Sequence, residues 1–293
     1  MRLAHLILAH SNPLQLERLV KRLIYTQTDV YIHLDGKSNI EEFIHLERLE
    51  NVFFIGKRTA ITWANYSMVT ATLGSFEEIL KKNIVYSHIN LLSGQDYPLK
   101  SAAAIQKFML ANADKTFMRS RQVDIEWQES MSRFNLYSLG DYNFPLKFPI
   151  QSLINRILPK RKLPMGLKPF GFSQWMAITP VCASYVINYL KKNTAVRRFF
   201  KMTWGVDELV FQTVLLNSDL KHTIVNDHLR YIKFEKGGSR PKTLTMEDAQ
   251  ILVDSNQFFA RKFSADTDTE ILDYLDFISG NELIISNSQE SIN

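Results

Sequence analysis

The chain is poor in the residues that announce many active sites. Its 293 residues contain a single cysteine, Cys182, so no intrachain disulfide forms. An oxidising compartment is not implied, and a reducing cytoplasm is the expected setting. Seven histidines are scattered, with no Cys/His cluster for zinc. The phosphate-cradling strings G-x-x-x-x-G-K-[ST] and G-x-G-x-x-G are missing, as is the G-x-S-x-G nucleophile turn. No stretch of about 18 apolar residues occurs, so no membrane-crossing helix is expected. The first apolar run stops at His10 without a small-residue cleavage site, which fits a buried first strand better than a secretory signal. Repeats and low-complexity tracts are also missing.

What is present belongs to a folded protein. Hydrophobic residues make up 45% and charged residues 22%, which excludes a disordered chain and suffices for one large core. The net charge of +5 is unevenly spread. Residues 147–168 (KFPIQSLINRILPKRKLPMGLK) hold six basic residues and no acidic one. Interleaved Ile, Leu, Phe and Pro leave two main readings, a solvated loop and a peripheral contact with anionic lipid. No nucleic-acid-binding motif accompanies the basic residues, so nucleic acid is not an expected partner.

The first half alternates strand and helix patterns. Strands are expected at Leu3–Ala9, Asp29–Leu34, Val52–Ile55 and Val85–Leu92, and helices from Leu14 to Leu23, Ile40–Leu49 and Tyr66–Leu80. This order predicts an α/β fold with a parallel sheet and helices on both faces. Ligands of such sheets bind beyond the carboxyl ends of the strands, which puts His10, Asp35 and the Ser93–Asp96 turn on one rim. Residues 112–172 read as an irregular insertion. Gly171–Thr179 reads as a loop entering a strand, and Pro180–Lys192 and Val206–Leu216 as helices. Thr223–Phe234 reads as strand and loop. Thr245 with Asp248 opens a further helix to about Asp254, and the polar tail begins at Ser286.

Two acidic features invite a chemical reading. Asp266-Thr267-Asp268 is a D-x-D string, which in nucleotide-sugar enzymes holds a divalent metal. Its place in a polar segment before a late helix favours capping instead, and no metal ligand is assigned. Asp207 and Glu208 stand at a predicted helix start, where acids commonly act as caps.

Six segments in order resemble one known family: YIHLDGKS (31–38), TWANYSMVTATL (62–73), LLSGQDYPLKS (91–101), GFSQWMAIT (171–179), DELVFQTVLLNS (207–218) and FFARKF (258–263). The set resembles the core-2/I-branching β-1,6-N-acetylglucosaminyltransferases, glycosyltransferase family 14, which also contains the peptide xylosyltransferases. The resemblance runs from about residue 2 to residue 275, and the size is similar to bacterial members. It implies a GT-A-like mixed, mainly parallel sheet in one domain, residues 1–275. Residues 1–111 would form a nucleotide-binding half and 112–275 an acceptor and catalytic half, with a C-terminal helix and tail over 276–293.

The same resemblance implies an inverting, metal-independent transfer from a UDP-sugar, N-acetylglucosamine or xylose, to a glycan hydroxyl. Glu208 matches the family's catalytic base, although Val206 stands where the family has proline. Arg240 and Lys262 match the cations that neutralise the departing diphosphate, with Lys242 or Arg261 as substitutes for the arginine. Gly237-Gly238 would let backbone approach the phosphates. Ala9, His10, Asp35, Trp63 and Tyr66 are the implied nucleoside contacts. Gln174, Trp175 and Tyr231 are the implied sugar and acceptor contacts, and Asp96 and Asp207 are counted with them. Asp124, Glu126 and Arg133 align poorly. No cofactor beyond the co-substrate is expected. The expected acceptor is a bacterial surface glycan and the expected setting the cytoplasm, with a lipid-linked acceptor and peripheral contact at the inner membrane face left open. The alternatives are a non-catalytic glycan- or nucleotide-binding protein of the same fold, and a UDP-sugar hydrolase.

Overall fold

The computed structural model describes residues 1–235 and 240–279. Gly237-Gly238 and the tail from 280 onward lie outside the described residues. Seven strands form the main sheet: β1 (Arg2–Ala9), β2 (Thr28–Leu34), β3 (Val52–Phe54), β4 (Tyr86–Ser93), β6 (Thr116–Gln122), β7 (Phe170–Ile178) and β8 (Ile224–Val225). Three short strands, β5 (Asp96–Pro98), β9 (Arg230–Ile232) and β10 (Phe259–Arg261), form a second sheet. The main order is β3-β2-β1-β4-β7-β6-β8. Pairing is parallel except at β7, which runs antiparallel to both β4 and β6. The mainly parallel α/β sheet expected from the strand-helix alternation is therefore present, and the second half of the chain completes it.

Alternation along β1 explains the two cores. Ala4, Leu6 and Leu8 face a cluster built with the helices Tyr66–Leu80, Pro180–Lys192 and Val210–Leu216. Leu3, Ile7 and Ala9 face the other side, against Pro13–Leu23, Ala102–Ala111 and the helix beginning at 270. A strand covered on both faces needs apolar residues in both phases of its two-residue period. Caps fix the helix starts. Asn12 accepts from Gln15 N at 3.0 Å with Pro13 next to it, and Thr179 accepts from Cys182 N at 3.3 Å ahead of Pro180. The Thr245–Asp248 capping box forms as its spacing predicts.

Two predicted helices differ. Residues 40–49 fold as two 3₁₀ segments, Ile40–Glu42 and Ile44–Arg48. The apolar residues Ile40, Phe43, Leu46 and Leu49 recur every three positions, a repeat that suits three residues per turn. The segment from Val206 also starts as a 3₁₀ turn, Val206–Glu208, and becomes α-helical only at Val210–Leu216. Its cause is a close approach described below. No helix among the described residues is long and apolar enough to cross a membrane.

Candidate active site

The carboxyl ends of β1, β2 and β4 open onto a cavity of about 730 Å³. Antiparallel β7 brings its first residues, Phe172 to Trp175, to the same rim. Its lining includes the carboxylates Glu208 and Asp207 and the arginines Arg230 and Arg261.

Glu208 is held by a partner from a distant segment. Arg133 Nη1 donates to Glu208 Oε2 at 2.5 Å. The Arg133 guanidinium lies between two indoles, 4.8 Å from the Trp127 ring centre and 4.9 Å from that of Trp204. Such stacking fixes a planar cation better than an ion pair alone. Glu208 Oε1 makes no hydrogen bond among the described residues, and the side chain is 36% exposed. One carboxylate oxygen is thus anchored, and the other remains for a ligand.

Two glycines shape the turn that carries Glu208. Gly205 has φ +65°, a conformation that disfavours a side chain. A β-carbon there would also stand 2.9 Å from Arg133 Nη1. Gly171 of β7 abuts the turn itself, since a β-carbon would meet Leu209 Cδ2 at 2.3 Å and Glu208 O at 2.7 Å. This contact of strand and turn occurs where the helix is broken, at Leu209 with φ −123°. Val206 takes the first position of the turn, where proline's lost N–H and fixed φ are tolerated.

Asp207 is 7% exposed, and its Oδ1 lacks a partner among the described residues. Burial, reinforced by the charge of Glu208, pushes its carboxyl up to about 7.

The small sheet supplies the basic part of the lining. Register sets Arg261 opposite Asp96, and Arg230 opposite Phe259. Asp96 Oδ2 lies 3.7 Å from Arg230 Nε, and Oδ1 lies 3.5 Å from Arg261 Nε. Within this buried trio one carboxylate faces two guanidiniums, leaving one positive charge uncompensated. Burial depresses both arginines, Arg230 to about 10. Arg230 Nη2 also donates to Asn90 Oδ1 at 2.8 Å, and Arg261 stacks 4.1 Å from the Trp175 ring centre. His228, beside them, is pushed down to about 3 by burial and then by Arg230, Arg119 and Arg261, so it is neutral. Gln174 Nε2, Arg230 Nε and Arg261 Nε are buried without a hydrogen-bond partner among the described residues. Arg230 Nε and Arg261 Nε lie toward Asp96, whereas Gln174 Nε2, on a residue that lines the cavity, is a donor that a hydrogen-bonding ligand would complete.

Most of the residues expected from the sequence meet here. Ala9, His10, Asp35, Trp63, Gln174, Trp175, Asp207 and Glu208 all line the cavity. Asp35 also accepts from Lys37 N at 2.9 Å and Ile61 N at 3.3 Å, so it shapes its own turn. Trp63 is 65% exposed and meets Trp204 edge-to-face at 6.0 Å. Tyr66, Tyr231, Arg240 and Lys262 are not among the lining residues, whereas Arg261 is. Tyr66 is buried in the core, and Asp96 is buried behind the two arginines. Of the D-x-D string, Asp268 accepts from Met246 N at 2.9 Å and Ile271 N at 3.2 Å, a capping role, while Asp266 lies at the cavity edge. Among the described residues no group of three His, Cys, Asp or Glu side chains forms a metal-ligating cluster. Asp124 and Glu126 lie outside the cavity lining. Sequence reasoning passed over Trp127, Trp204, Arg119, His228 and Arg230, and gave Arg133 little weight. Trp127, Trp204 and Arg119 sit in no motif, His228 and Arg230 stand beside Tyr231 where only the tyrosine was weighed, and the folded chain assembles them.

Xylosyltransferase 2 of Pan troglodytes is 29% identical over 94% of this chain and 33% of its own length. Xylosyltransferase oxt of Drosophila pseudoobscura pseudoobscura is 26% identical over 89% of this chain and 31% of its own. The xylosyltransferase of Ciona intestinalis is 24% identical over 94% and 34%. The chain therefore spans about a third of the length of these curated relatives. A cytidylyltransferase structure from Leptospira borgpetersenii aligns over 67% of this chain and 73% of its own at 14% identity, with a TM-score of 0.26, too low to carry an argument. Residues 3–254 match the Branch family, described as Core-2/I-Branching enzyme, and the chain is a member of that glycosyltransferase family.

Proposed function

We propose that the protein transfers a sugar, N-acetylglucosamine or xylose, from a UDP-sugar to a glycan hydroxyl, with inversion and without a metal ion. The observation that supports this reading is one cavity lined both by a held carboxylate, Glu208, and by two arginines that share the single carboxylate of Asp96. In this scheme the acceptor oxygen attacks the anomeric carbon and its proton passes to Glu208 Oε1. The bond from the anomeric carbon to the phosphate oxygen breaks as the new one forms, and UDP departs with the electron pair. Arg261, with Arg230 behind it, meets the charge that develops on the diphosphate. Arg261, offered by the sequence as a substitute for Arg240, is assigned the arginine's place because it is among the cavity-lining residues. Asp35 and the β1 end receive the nucleoside. Trp63 and Trp204 offer faces for sugar rings.

The acceptor in this reading is a bacterial surface glycan under assembly on a lipid carrier, handled at the inner face of the membrane. The test is turnover of UDP-N-acetylglucosamine and UDP-xylose with glycan acceptors in excess EDTA. Transfer under those conditions supports the reading. Complete loss in EDTA returns Asp266 and Asp268 to consideration. Release of free sugar alone favours a hydrolase, and binding without turnover favours a non-catalytic protein.

A further inference from the structure

The helix Lys147–Ile157 is amphipathic in an unusual sense, since its polar side faces the protein. Lys147, Gln151 and Asn155, spaced four apart, lie on one face. Gln151 Oε1 accepts from Leu139 N at 2.7 Å, and Asn155 Oδ1 accepts from Tyr137 N at 2.7 Å. Asn155 Nδ2 donates back to Tyr137 O at 2.9 Å, and Lys147 Nζ donates to Gly140 O at 3.2 Å. These bonds fasten the helix by its polar groups and turn Ile150, Leu153 and Ile157 outward. No residue of the helix is buried. Leu153 is 54% exposed, Ile157 68% and Ile150 40%, and Leu146, which precedes the helix, 71%. Large apolar side chains grouped on one exposed helix face call for a cover.

The charges around this face identify the cover. Arg161, one of the six basic residues of 147–168, is buried and donates to Leu136 O and Thr203 Oγ1, so it is structural. Arg156, Lys160, Lys162 and Lys168 are exposed, and none has an ion-pair partner among the described residues. No acidic residue interrupts the segment. Exposed apolar side chains in a segment whose exposed charges are all cationic match an anionic bilayer, which takes the side chains into its acyl boundary and the cations among its headgroups. A second copy of this face would bring like charges together.

We propose that the helix Lys147–Ile157 is a docking surface that seats the protein on a bilayer of anionic lipid. The inner side of the same helix lines a second cavity, of about 490 Å³, through Lys147, Phe148, Gln151 and Asn155. Arg133 and Trp204 line both cavities. A bilayer on the outer face therefore lies against the side of the molecule that carries Glu208, where a lipid-borne acceptor would arrive. The assignment deepens the partner part of the proposed function and is read out without turnover.

The experiment is cosedimentation with phosphatidylcholine vesicles, with and without phosphatidylglycerol, for the wild-type chain and for Leu153→Glu combined with Ile157→Glu. Both positions are exposed, so the variant is expected to fold, and an unchanged thermal melt checks that. The wild-type chain is expected to sediment with the anionic vesicles and to be released by salt. The variant is expected to bind about tenfold more weakly or less. Equal sedimentation of the two chains, or binding indifferent to phosphatidylglycerol, overturns the proposal. Failure of vesicle capture together with a wild-type dimer that the variant converts to monomer assigns the face to self-association and also overturns it. Absence of sugar transfer in a separate assay leaves the lipid result standing, so the two readings fail separately.

Discussion

Gly205 and Arg133 share one small space. The guanidinium that holds Glu208 occupies the position a side chain on Gly205 would need, 2.9 Å from the β-carbon site. The residue that turns the chain toward Glu208 thus also admits its partner. Gly205→Ala combines a left-handed backbone penalty of about 1–2 kcal/mol with displacement of Arg133. The expected outcome is a lower denaturation midpoint together with slower transfer. A change in stability with full activity would show that Arg133 is free to move without consequence.

Arg133→Ala tests the partner directly. With Trp127 and Trp204 no longer spaced by the guanidinium, Glu208 loses its fixed orientation. Misplacement of a reacting group costs about 100-fold in kcat. UDP binding, measured by thermal shift, is expected to stay close to wild type, because the charge of Arg133 is taken up by Glu208. Arg133→Lys is expected to rescue little, since an ammonium cannot stack between two indoles as a planar guanidinium does.

Arg261→Ala and Lys262→Ala separate two neighbouring assignments. Removing a charge-assisted contact costs about 1.5–3 kcal/mol, or roughly 10–100-fold in UDP affinity. Arg261→Ala is expected to show that loss by calorimetric titration, and Lys262→Ala a much smaller one. The reverse pattern would restore the assignment made from the sequence motif.

Asp207 gives a pH signature in stability. Its folded carboxyl is raised to about 7, so the folded chain keeps a proton that the unfolded chain has released. Stability contributed by this group therefore falls as pH rises from the ordinary carboxylate range through about 7. Asp207→Asn is expected to gain about 1–3 kcal/mol over wild type at about pH 8, and to lose that advantage below about pH 4. Urea titrations at the two pH values check it, and an advantage that is constant with pH would contradict the buried, protonated carboxyl.

The strands and their rim were legible in the sequence because burial on both faces writes itself as uninterrupted apolar runs, as in Leu3–Ala9. Asp35 and the Ser93–Asp96 turn followed from where those runs end. The helix expected over 40–49 failed because a three-residue apolar repeat looks helical yet suits 3₁₀ turns. Arg133 could not be singled out, since its importance comes from Trp127, Trp204, Gly205 and Glu208, which meet only in three dimensions. Arg261 was open in the sequence only as a substitute for Arg240, and strand register then sets it opposite Asp96. Arg230 was hidden in a short strand whose pairing with β10 spans distant sequence.

The most direct measurement is transfer by Glu208→Gln with UDP-sugar binding followed in parallel. The substitution keeps size and most hydrogen bonding while removing the proton-accepting charge. The account predicts a fall in turnover of about 100-fold to 10,000-fold with UDP-sugar binding intact. Transfer at the wild-type rate would contradict it and remove Glu208 as the base.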